Sequence, residues 1–134
     1  MSAYTEQKTQ ITDADVLKEC LKEKGYGTVE HHTEAKQLVG YHGDLRQQEA
    51  EIIIRRQHIS SASNDIGFKK QTDGTYGAII SDYDKYKHND AWMVDLKKRY
   101  AEKKIMKQAK TSGLKFVRKT QSNDGSFKLQ FVKA

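Results

Sequence analysis

The chain has 134 residues, of which 36% are hydrophobic and 31% are charged, and its formal net charge is +6. Its single cysteine excludes an internal disulfide bond, and no apolar run approaches the roughly 20 residues of a membrane-spanning helix. The length is typical of one domain with a modest core, so we expect a single α+β domain over residues 1–134. Residues 1–10 are polar and lack the apolar segment of a signal peptide, which predicts a soluble protein of the cytoplasm.

The N-terminal region predicts an edge strand followed by the clearest helix of the chain. The polar stretch Tyr4–Ile11 favours the strand, and Thr12 is typical of an N-cap, with acidic residues in the turn after it. Gly25 is typical of the residue that ends a helix. One apolar stripe at helical spacing lies between these signals, formed by Val16, Leu17, Cys20 and Leu21. Cys20 is therefore interpreted as a small buried hydrophobic residue, because a nucleophilic cysteine needs an exposed, electropositive setting.

Four further segments before the second helix have the composition of strands, namely Thr28–Val39, Ala50–Ile59, Ile66–Lys70 and Tyr76–Ser81. Three consecutive isoleucines, residues 52–54, favour a strand that is covered on both faces near its middle. The pair Asp73-Gly74 between the last two segments is a strong signal for a hairpin.

The C-terminal third predicts a long helix and a final hairpin. Asn89 can cap a helix that runs to about Thr111, but the apolar stripe of this helix shifts midway, which predicts a kink or a break near Ala101. The segments Leu114–Thr120 and Phe127–Val132 then form the hairpin. The whole order is β-α-β-β-β-β-α-β-β. It predicts an α+β fold with a mainly antiparallel sheet of about seven strands and two helices.

The basic residues are concentrated in one part of the chain. Residues 85–119 carry twelve Lys or Arg against three Asp or Glu, whereas residues 1–84 carry ten against fourteen. The candidate binding face on the predicted second helix consists of Lys97, Lys98, Arg99, Lys103, Lys104, Lys107 and Lys110. Such a face can be a solvated helix surface, a site for a larger protein or complex with an acidic surface, or a contact for the phosphates of RNA or DNA. Trp92 and Tyr100 share a stripe with Leu96, which favours core residues over a platform for stacking bases.

A polar loop before the fourth predicted strand is the candidate anion site. Ser61, Ser63 and Asn64 could surround a phosphate or a carboxylate with hydroxyl and backbone N–H groups. Asp65 would repel an anion, and Asn and Asp side chains commonly stabilise turns through their own hydrogen bonds. We therefore favour a structural turn, in which Gly67 permits a bulge or a close approach to the backbone.

The sequence contains no established catalytic or cofactor motif. The phosphate-binding loop, the dinucleotide fingerprint and the nucleophile elbow of hydrolases are all absent. The five histidines lack a cysteine or carboxylate at zinc-ligand spacing, and Asp82 and Asp84 alone would make a poor Mg²⁺ or Ca²⁺ site. We therefore expect no catalytic residue, no metal and no cofactor. The simplest enzyme would need His42, His58 and Asp65 to converge in space.

Several short motifs follow one another along nearly the whole chain: YTEQKTQITDADVLKECLKEKGY, GYHGD, AEIIIRR, NDIGF, RYAEKKIMKQAKTSGLKFV and NDGSFKLQFV. In this order they resemble the family called hypothetical chloroplast reading frame thirty-five, a plastid and cyanobacterial family of unknown function. The resemblance implies a small soluble α+β protein without a known set of catalytic residues or a settled activity. For a source that is a photosynthetic eukaryote, it implies the plastid stroma as the compartment.

Two regions depart from the plastid members of that family. The stretch HISSASNDIGFKKQ is longer and more polar at the entry to D-I-G-F, and the link between Asp82 and Trp92 is shorter. A partner surface built from these two loops is therefore not expected to carry over from the family to this chain.

The leading hypothesis is a non-enzymatic accessory or regulatory protein that binds a larger partner through the basic face of the second helix. It rests on the concentration of positive charge in residues 85–119 and on the lack of a catalytic motif. The alternative is an RNA- or DNA-binding protein that uses the same face, whose affinity would fall steeply with salt. The edge of Tyr4–Ile11 could also pair with another chain, so the oligomeric state stays open.

Overall fold

The structure is a computed structural model that describes residues 2–134, and in that range it follows the predicted order of elements. These elements are β1 (Tyr4–Lys8), α1 (Ala14–Glu23), β2 (Glu30–Val39), β3 (Leu45–Ile54), β4 (Ile66–Lys70), β5 (Tyr76–Ser81), α2 (Asp90–Thr111), β6 (Leu114–Gln121) and β7 (Phe127–Lys133). Short 3-10 turns cover Arg56–His58 and Asp84–Tyr86. The α+β class and the two helices are thereby confirmed. Within residues 2–134, neither helix is long and apolar enough to cross a membrane.

The strands form two sheets, so the prediction of one sheet of about seven strands is wrong in its arrangement. An antiparallel sheet has the strand order β1-β5-β4-β3-β2, and β6 pairs antiparallel with β7 in a separate hairpin. The physical reason is local. β6 begins directly after the turn Ser112-Gly113 that ends α2, and the turn about Asp124-Gly125 returns β7 beside it. The hairpin therefore packs against the helix that precedes it and pairs with no strand of the larger sheet.

Both helices contribute to one core on the larger sheet. Their buried side chains join Ile52, Ile54, Ile66 and Phe68 of the sheet in a single cluster. The helical members of this cluster are Val16, Leu17, Cys20, Leu21, Met93, Leu96 and Tyr100. The predicted stripe of α1 is confirmed, since all four of its side chains are buried. Burial raises the pKa of the Cys20 thiol to about 11, which keeps the sulfur protonated at neutral pH.

The opposite face of the sheet is covered by the bent end of β2. A second, smaller buried cluster on this face consists of Leu38, Ala50, Ile53 and Ile79. The β2–β3 ladder shifts register twice, which bends the strands, and Leu38 thereby reaches Gly67 on β4. The prediction for residues 52–54 is confirmed, because Ile52 and Ile54 lie in the helix-side cluster and Ile53 lies in this one.

Asp13, and not the predicted Thr12, caps the start of α1. The Oδ1 atom of Asp13 accepts a hydrogen bond from the N–H group of Val16 at 3.1 Å. The backbone N–H groups of Thr12 and Asp13 donate to the hydroxyl of Tyr100 on α2, at 3.1 and 2.9 Å. This contact between distant parts of the chain binds the backbone just before α1, and no local pattern reveals it.

The helix α2 runs without a break from Asp90 to Thr111, so the predicted break near Ala101 is wrong. Asn89 caps it as predicted, since its Oδ1 atom accepts a hydrogen bond from the N–H group of Trp92 at 3.1 Å. The apolar stripe shifts because the helix has two neighbours. Its first half faces the core of the larger sheet, and its second half lies against the C-terminal hairpin.

Ion pairs join the two helices along their length. The nitrogen-to-oxygen distances are 2.7 Å for Lys107–Asp13, 3.1 Å for Lys104–Asp13, 2.5 Å for Lys103–Glu23 and 3.4 Å for Arg99–Glu23. Burial alone would raise the pKa of Asp13, but hydrogen bonds from Lys107, the Val16 N–H group and Lys104 outweigh it and hold that pKa well below its usual range. Asp13 therefore stabilises the folded chain in its charged form.

We expect Gly67→Ala to destabilise the protein. A Cβ atom at this position would lie 2.7 Å from Ala50 Cβ and 3.0 Å from Leu38 Cδ2, so the covering end of β2 would have to move. Overpacking of this kind costs about 1–3 kcal/mol of the free energy of unfolding, which urea denaturation measures. Gly27→Ala is the matched control, because its Cβ would meet only His58 Nδ1, at 3.7 Å. Equal losses in the two variants would contradict the close approach at Gly67.

We expect Asp13→Asn to lower the free energy of unfolding by about 1 kcal/mol at neutral pH. Asn retains the helix cap, so the substitution removes only the charge that faces Lys104 and Lys107. Because the pKa of Asp13 is depressed in the folded chain, this stabilisation is fully present above the unfolded pKa of about 4 and is lost as the pH falls through the folded value. Urea denaturation at pH 7 and again near pH 3 measures both effects.

Asp15→Asn is the matched control for this substitution. Asp15 is exposed in the first turn of α1 and forms no ion pair with another residue of the described range 2–134. Asp15→Asn should lower the free energy of unfolding less than Asp13→Asn does at neutral pH. A difference between the wild type and Asp13→Asn that stays constant as the pH falls would show that the charge of Asp13 does not stabilise the fold.

Candidate binding surfaces

The predicted basic face divides into a paired set and an unpaired set. The paired residues, which contact carboxylates of α1 or of α2 itself, are Arg99, Lys103, Lys104 and Lys107. The residues without a carboxylate oxygen within 4.0 Å in residues 2–134 are Lys97, Lys98 and Lys110. Much of the predicted positive charge therefore holds α1 against α2, and only part of it is open to a partner.

A groove of about 950 Å³ lies between α1, α2 and the C-terminal hairpin, and we call it the α2–hairpin groove. Lys98 and Lys110 line it, whereas Lys97 lines a separate cleft on another side of α2. The apolar wall that the hairpin contributes consists of Leu114, Phe116, Phe127 and Phe131. The wall on α1 carries Asp15 and Glu19. The groove thus places unpaired lysines beside apolar side chains.

The C-terminal hairpin exposes apolar side chains that the sequence did not mark as a surface. All eight residues of β6 are exposed. Phe116 remains 39% exposed although its ring packs against that of Phe131, with 5.9 Å between the centroids. Val117 and Val132 are also exposed. Apolar side chains grouped in this way next to basic residues are typical of a protein-binding surface.

The predicted anion loop uses its polar groups within the chain. Ser61 is exposed, whereas Ser63 and Asn64 are buried. The N–H group of Asn64 donates to Asp84 Oδ2 at 2.9 Å, and Asn64 Nδ2 donates to Ser81 Oγ at 3.0 Å. The carboxylate of Asp84 therefore occupies a donor that an external anion would need. This arrangement supports the interpretation of the loop as a structural turn.

Asp65 is the buried centre of this turn. Its side chain is fully buried, and its Oδ2 atom lies 2.8 Å from Arg55 Nη1. The N–H groups of Val39 and Arg56 donate to its two carboxylate oxygens, each at 2.7 Å. The hydroxyl of Tyr4 donates to the backbone carbonyl of Asp65 at 2.7 Å. One residue therefore ties β1, β2 and the end of β3 to the start of β4.

The three residues that the simplest enzyme would need lie in different turns, and one of them is bound by an arginine. His42 lies on the β2–β3 turn with its ring 4.6 Å from that of Tyr41, His58 lies in the turn after β3, and Asp65 is bound by Arg55. Within residues 2–134, no three His, Cys, Asp or Glu side chains are grouped so that they could hold a metal ion.

A second cleft, of about 520 Å³, was not predicted from the sequence. It is formed by the end of α1, the loop before β4, the loop after β5 and the start of α2, and we call it the aromatic cleft. Its aromatic lining consists of Tyr26, Tyr83, Tyr86, His88 and Trp92. The signal that could have found it is the pair Tyr83 and Tyr86 in a polar loop, because loops on a rigid scaffold commonly carry binding residues.

A hydrogen-bonded pair lies in the aromatic cleft. The carbonyl oxygen of Asp84 can only accept, so His88 Nδ1, 3.2 Å away, carries the proton. His88 Nε2 then accepts from the hydroxyl of Tyr26 at 2.6 Å. Burial lowers the pKa of His88 and raises that of Tyr26 to about 12, so both side chains are neutral at pH 7. The rings of Tyr26 and His88 lie edge-on to Trp92, with centroids 6.4 and 5.0 Å away.

The comparisons with known proteins identify one family. A family model described as protein of unknown function, DUF1257, matches residues 20–130. No curated protein and no solved structure gave a significant match. The family match covers most of the chain and confirms the expectation of a family without an assigned activity. The chain therefore belongs to the family of proteins of unknown function DUF1257.

Proposed function

We propose that the chain is a non-enzymatic accessory protein that binds a larger partner with an acidic surface through the α2–hairpin groove. The observation that carries this proposal is the position of Lys98 and Lys110 beside the exposed apolar side chains of the hairpin. Carboxylates of the partner would meet the two lysines, and apolar side chains of the partner would cover Phe116 and its neighbours.

The positive charge continues onto the outer face of the hairpin. The basic residues there that have no carboxylate within 4.0 Å in the described part of the chain are Lys115, Arg118 and Lys128. Lys115 lies opposite Val132 in the ladder, and Phe116 lies opposite Phe131. Since alternate residues of a strand point to opposite faces and paired residues share a face, Lys115, Lys128 and Val132 lie on the face that is turned away from the two phenylalanines. The register shift between Phe116 and Arg118 pairs Arg118 with Gln130 and puts it on the same outer face. A partner that encloses the hairpin would meet basic side chains on both faces.

The composition of the groove favours a protein over RNA or DNA. A phosphate backbone carries a charge on every nucleotide and would meet Asp15 and Glu19 on the α1 wall, whereas a protein can place uncharged or basic side chains opposite them. Four of the seven basic residues expected to contact phosphates are already paired with carboxylates. The exposed apolar side chains would gain little from a phosphate backbone but would gain from burial against a protein. RNA or DNA binding by the same face is the alternative.

Reactive side chains that are buried in the core or bonded within the chain support a non-enzymatic role. The carboxylate of Asp65 accepts hydrogen bonds from groups of the chain itself. The thiol of Cys20 lies within the core, away from any cleft described above. These side chains therefore act in the fold, and the surfaces left over are suited to binding.

We expect the double charge reversal Lys98→Glu/Lys110→Glu to weaken binding of the partner at least about tenfold, because it replaces attraction by repulsion at two points of the groove. The tagged protein is used to capture partners from its native extract in the presence of nuclease. The partner identified by mass spectrometry is then purified, and its affinity is measured at several salt concentrations. Lys103, Lys104 and Lys107 are left unchanged, since their reversal would break the ion pairs with α1.

Lys69→Glu/Lys70→Glu is the matched control, because both residues are exposed at the end of β4 and the change in net charge is the same. Equal affinity of the purified partner for the two double variants would contradict the groove as the binding site. Loss of capture on nuclease treatment, together with an affinity that falls steeply with salt, would move the function to the RNA or DNA alternative.

A further inference from the structure

Two tyrosines of the aromatic cleft face the solvent. Tyr86 is 83% exposed and Tyr83 is 52% exposed, and both lie in the loop between β5 and α2. Trp92 and Tyr26 line the same cleft and are held edge-on to each other. A planar ring that enters the cleft can stack on these faces, as nucleobases do on the aromatic side chains of proteins that bind single strands.

The carboxylate of Asp84 adds a hydrogen-bond acceptor to this cleft. Asp84 is 3% exposed, and its Oδ2 atom accepts from the Asn64 N–H group at 2.9 Å and from Ser81 Oγ at 2.8 Å. Its Oδ1 atom accepts no hydrogen bond from residues 2–134, and Asp84 is one of the residues that line the cleft. Because a largely buried carboxylate oxygen needs a donor, it favours a ligand that brings an N–H group into the cleft.

Basic side chains surround the cleft. Lys87 is exposed and has no carboxylate within 4.0 Å in the range that the structure describes, and Arg99 is partly exposed although it pairs with Asp95 and with Glu23, which also lines the cleft. The ammonium group of Lys24 lies 5.2 Å from the centroid of the Trp92 ring and is itself held by Asp95. These cations favour an anionic ligand and oppose a cationic one.

We propose that the aromatic cleft binds a nucleobase that carries an exocyclic amino group, with its attached phosphate near Lys87 and Arg99. The base stacks on the exposed aromatic rings and donates its amino group to Asp84. The ligand is a free nucleotide or a nucleotide of a single strand of RNA or DNA, since both present the same base and phosphate. Glu23 and Arg99 line both this cleft and the α2–hairpin groove, but Asp84 and the two tyrosines line only the cleft.

The experiment uses the fluorescence of Trp92, which is the only tryptophan of the chain and lines the cleft. We expect AMP, GMP or CMP to change this fluorescence saturably, and purine riboside monophosphate, which is AMP without the amino group and whose base has no N–H donor, to bind about tenfold more weakly than AMP. Excitation at the red edge of the tryptophan band limits absorption by the nucleotides. Short single-stranded oligonucleotides are titrated in the same way. Equal affinities for nucleotides and oligonucleotides would identify the free nucleotide as the ligand, and binding of oligonucleotides alone would identify the single strand.

Substitutions in the aromatic cleft and in the α2–hairpin groove show where the nucleotide binds. Tyr86→Ala should weaken the binding of whichever ligand saturates by about tenfold, because it removes a stacking surface, and Tyr86→Phe, which keeps the ring, should restore it. The high exposure of Tyr86 makes its side chain dispensable for folding. Phe116→Ala is the matched control, since it removes an exposed aromatic side chain from the α2–hairpin groove. Lys98→Glu/Lys110→Glu should also leave this affinity unchanged, which separates the present proposal from the function proposed above.

Three results would overturn the proposal. The first is the lack of a saturable change with every nucleotide and oligonucleotide. The second is equal weakening by Tyr86→Ala and Phe116→Ala, which would place the ligand outside the aromatic cleft. The third is an affinity for purine riboside monophosphate equal to that for AMP, which would remove the role of Asp84 and with it the stated class of ligand.

Discussion

The positions of the end of β2, of the loop before β4 and of the aromatic cleft all depend on the buried carboxylate of Asp65. An unpaired buried ion costs several kcal/mol, so the fold must bring positive charge and hydrogen-bond donors to it. Arg55 and the N–H groups of Val39 and Arg56 supply them from β2 and from the end of β3. Their convergence holds the end of β2 over the sheet and fixes the loop before β4. The aromatic cleft is built on that loop, because Asp84 bonds the residue next to Asp65.

Most of the basic residues in the middle of α2 stabilise the fold, and only the remaining ones are available to a partner. The lysines and the arginine in the middle of α2 neutralise carboxylates at both ends of α1, and these pairs hold the two helices side by side on the sheet. A lysine-rich helix therefore does not define a binding face until the acidic residues of its neighbours are known. Here two of the three unpaired lysines, Lys98 and Lys110, line the groove beside the hairpin, which moves the proposed partner surface away from the centre of the helix.

Local patterns predicted the order of the elements and many of their boundaries. β4 and β5 begin and end as predicted, because hydrophobic alternation and the turn between them are decided over a few residues. Contacts between distant residues decided the rest. The hydroxyl of Tyr100 on α2 binds the backbone at Thr12 and Asp13, where the cap differs from the predicted one, and the packing of the hairpin on α2 separates it from the larger sheet. The aromatic cleft was missed because residues as far apart in sequence as Tyr26 and Tyr86 form it.

The C-terminal hairpin shares no strand pairing with the larger sheet and is joined to the rest of the described chain through α2. A unit attached in this way can open while the main core stays folded, since few contacts couple the two. Substitutions in the hairpin should then have little effect on the stability of the larger sheet. Substitutions in the C-terminal hairpin can therefore give the same fold a different partner, while the core and the aromatic cleft keep their structure.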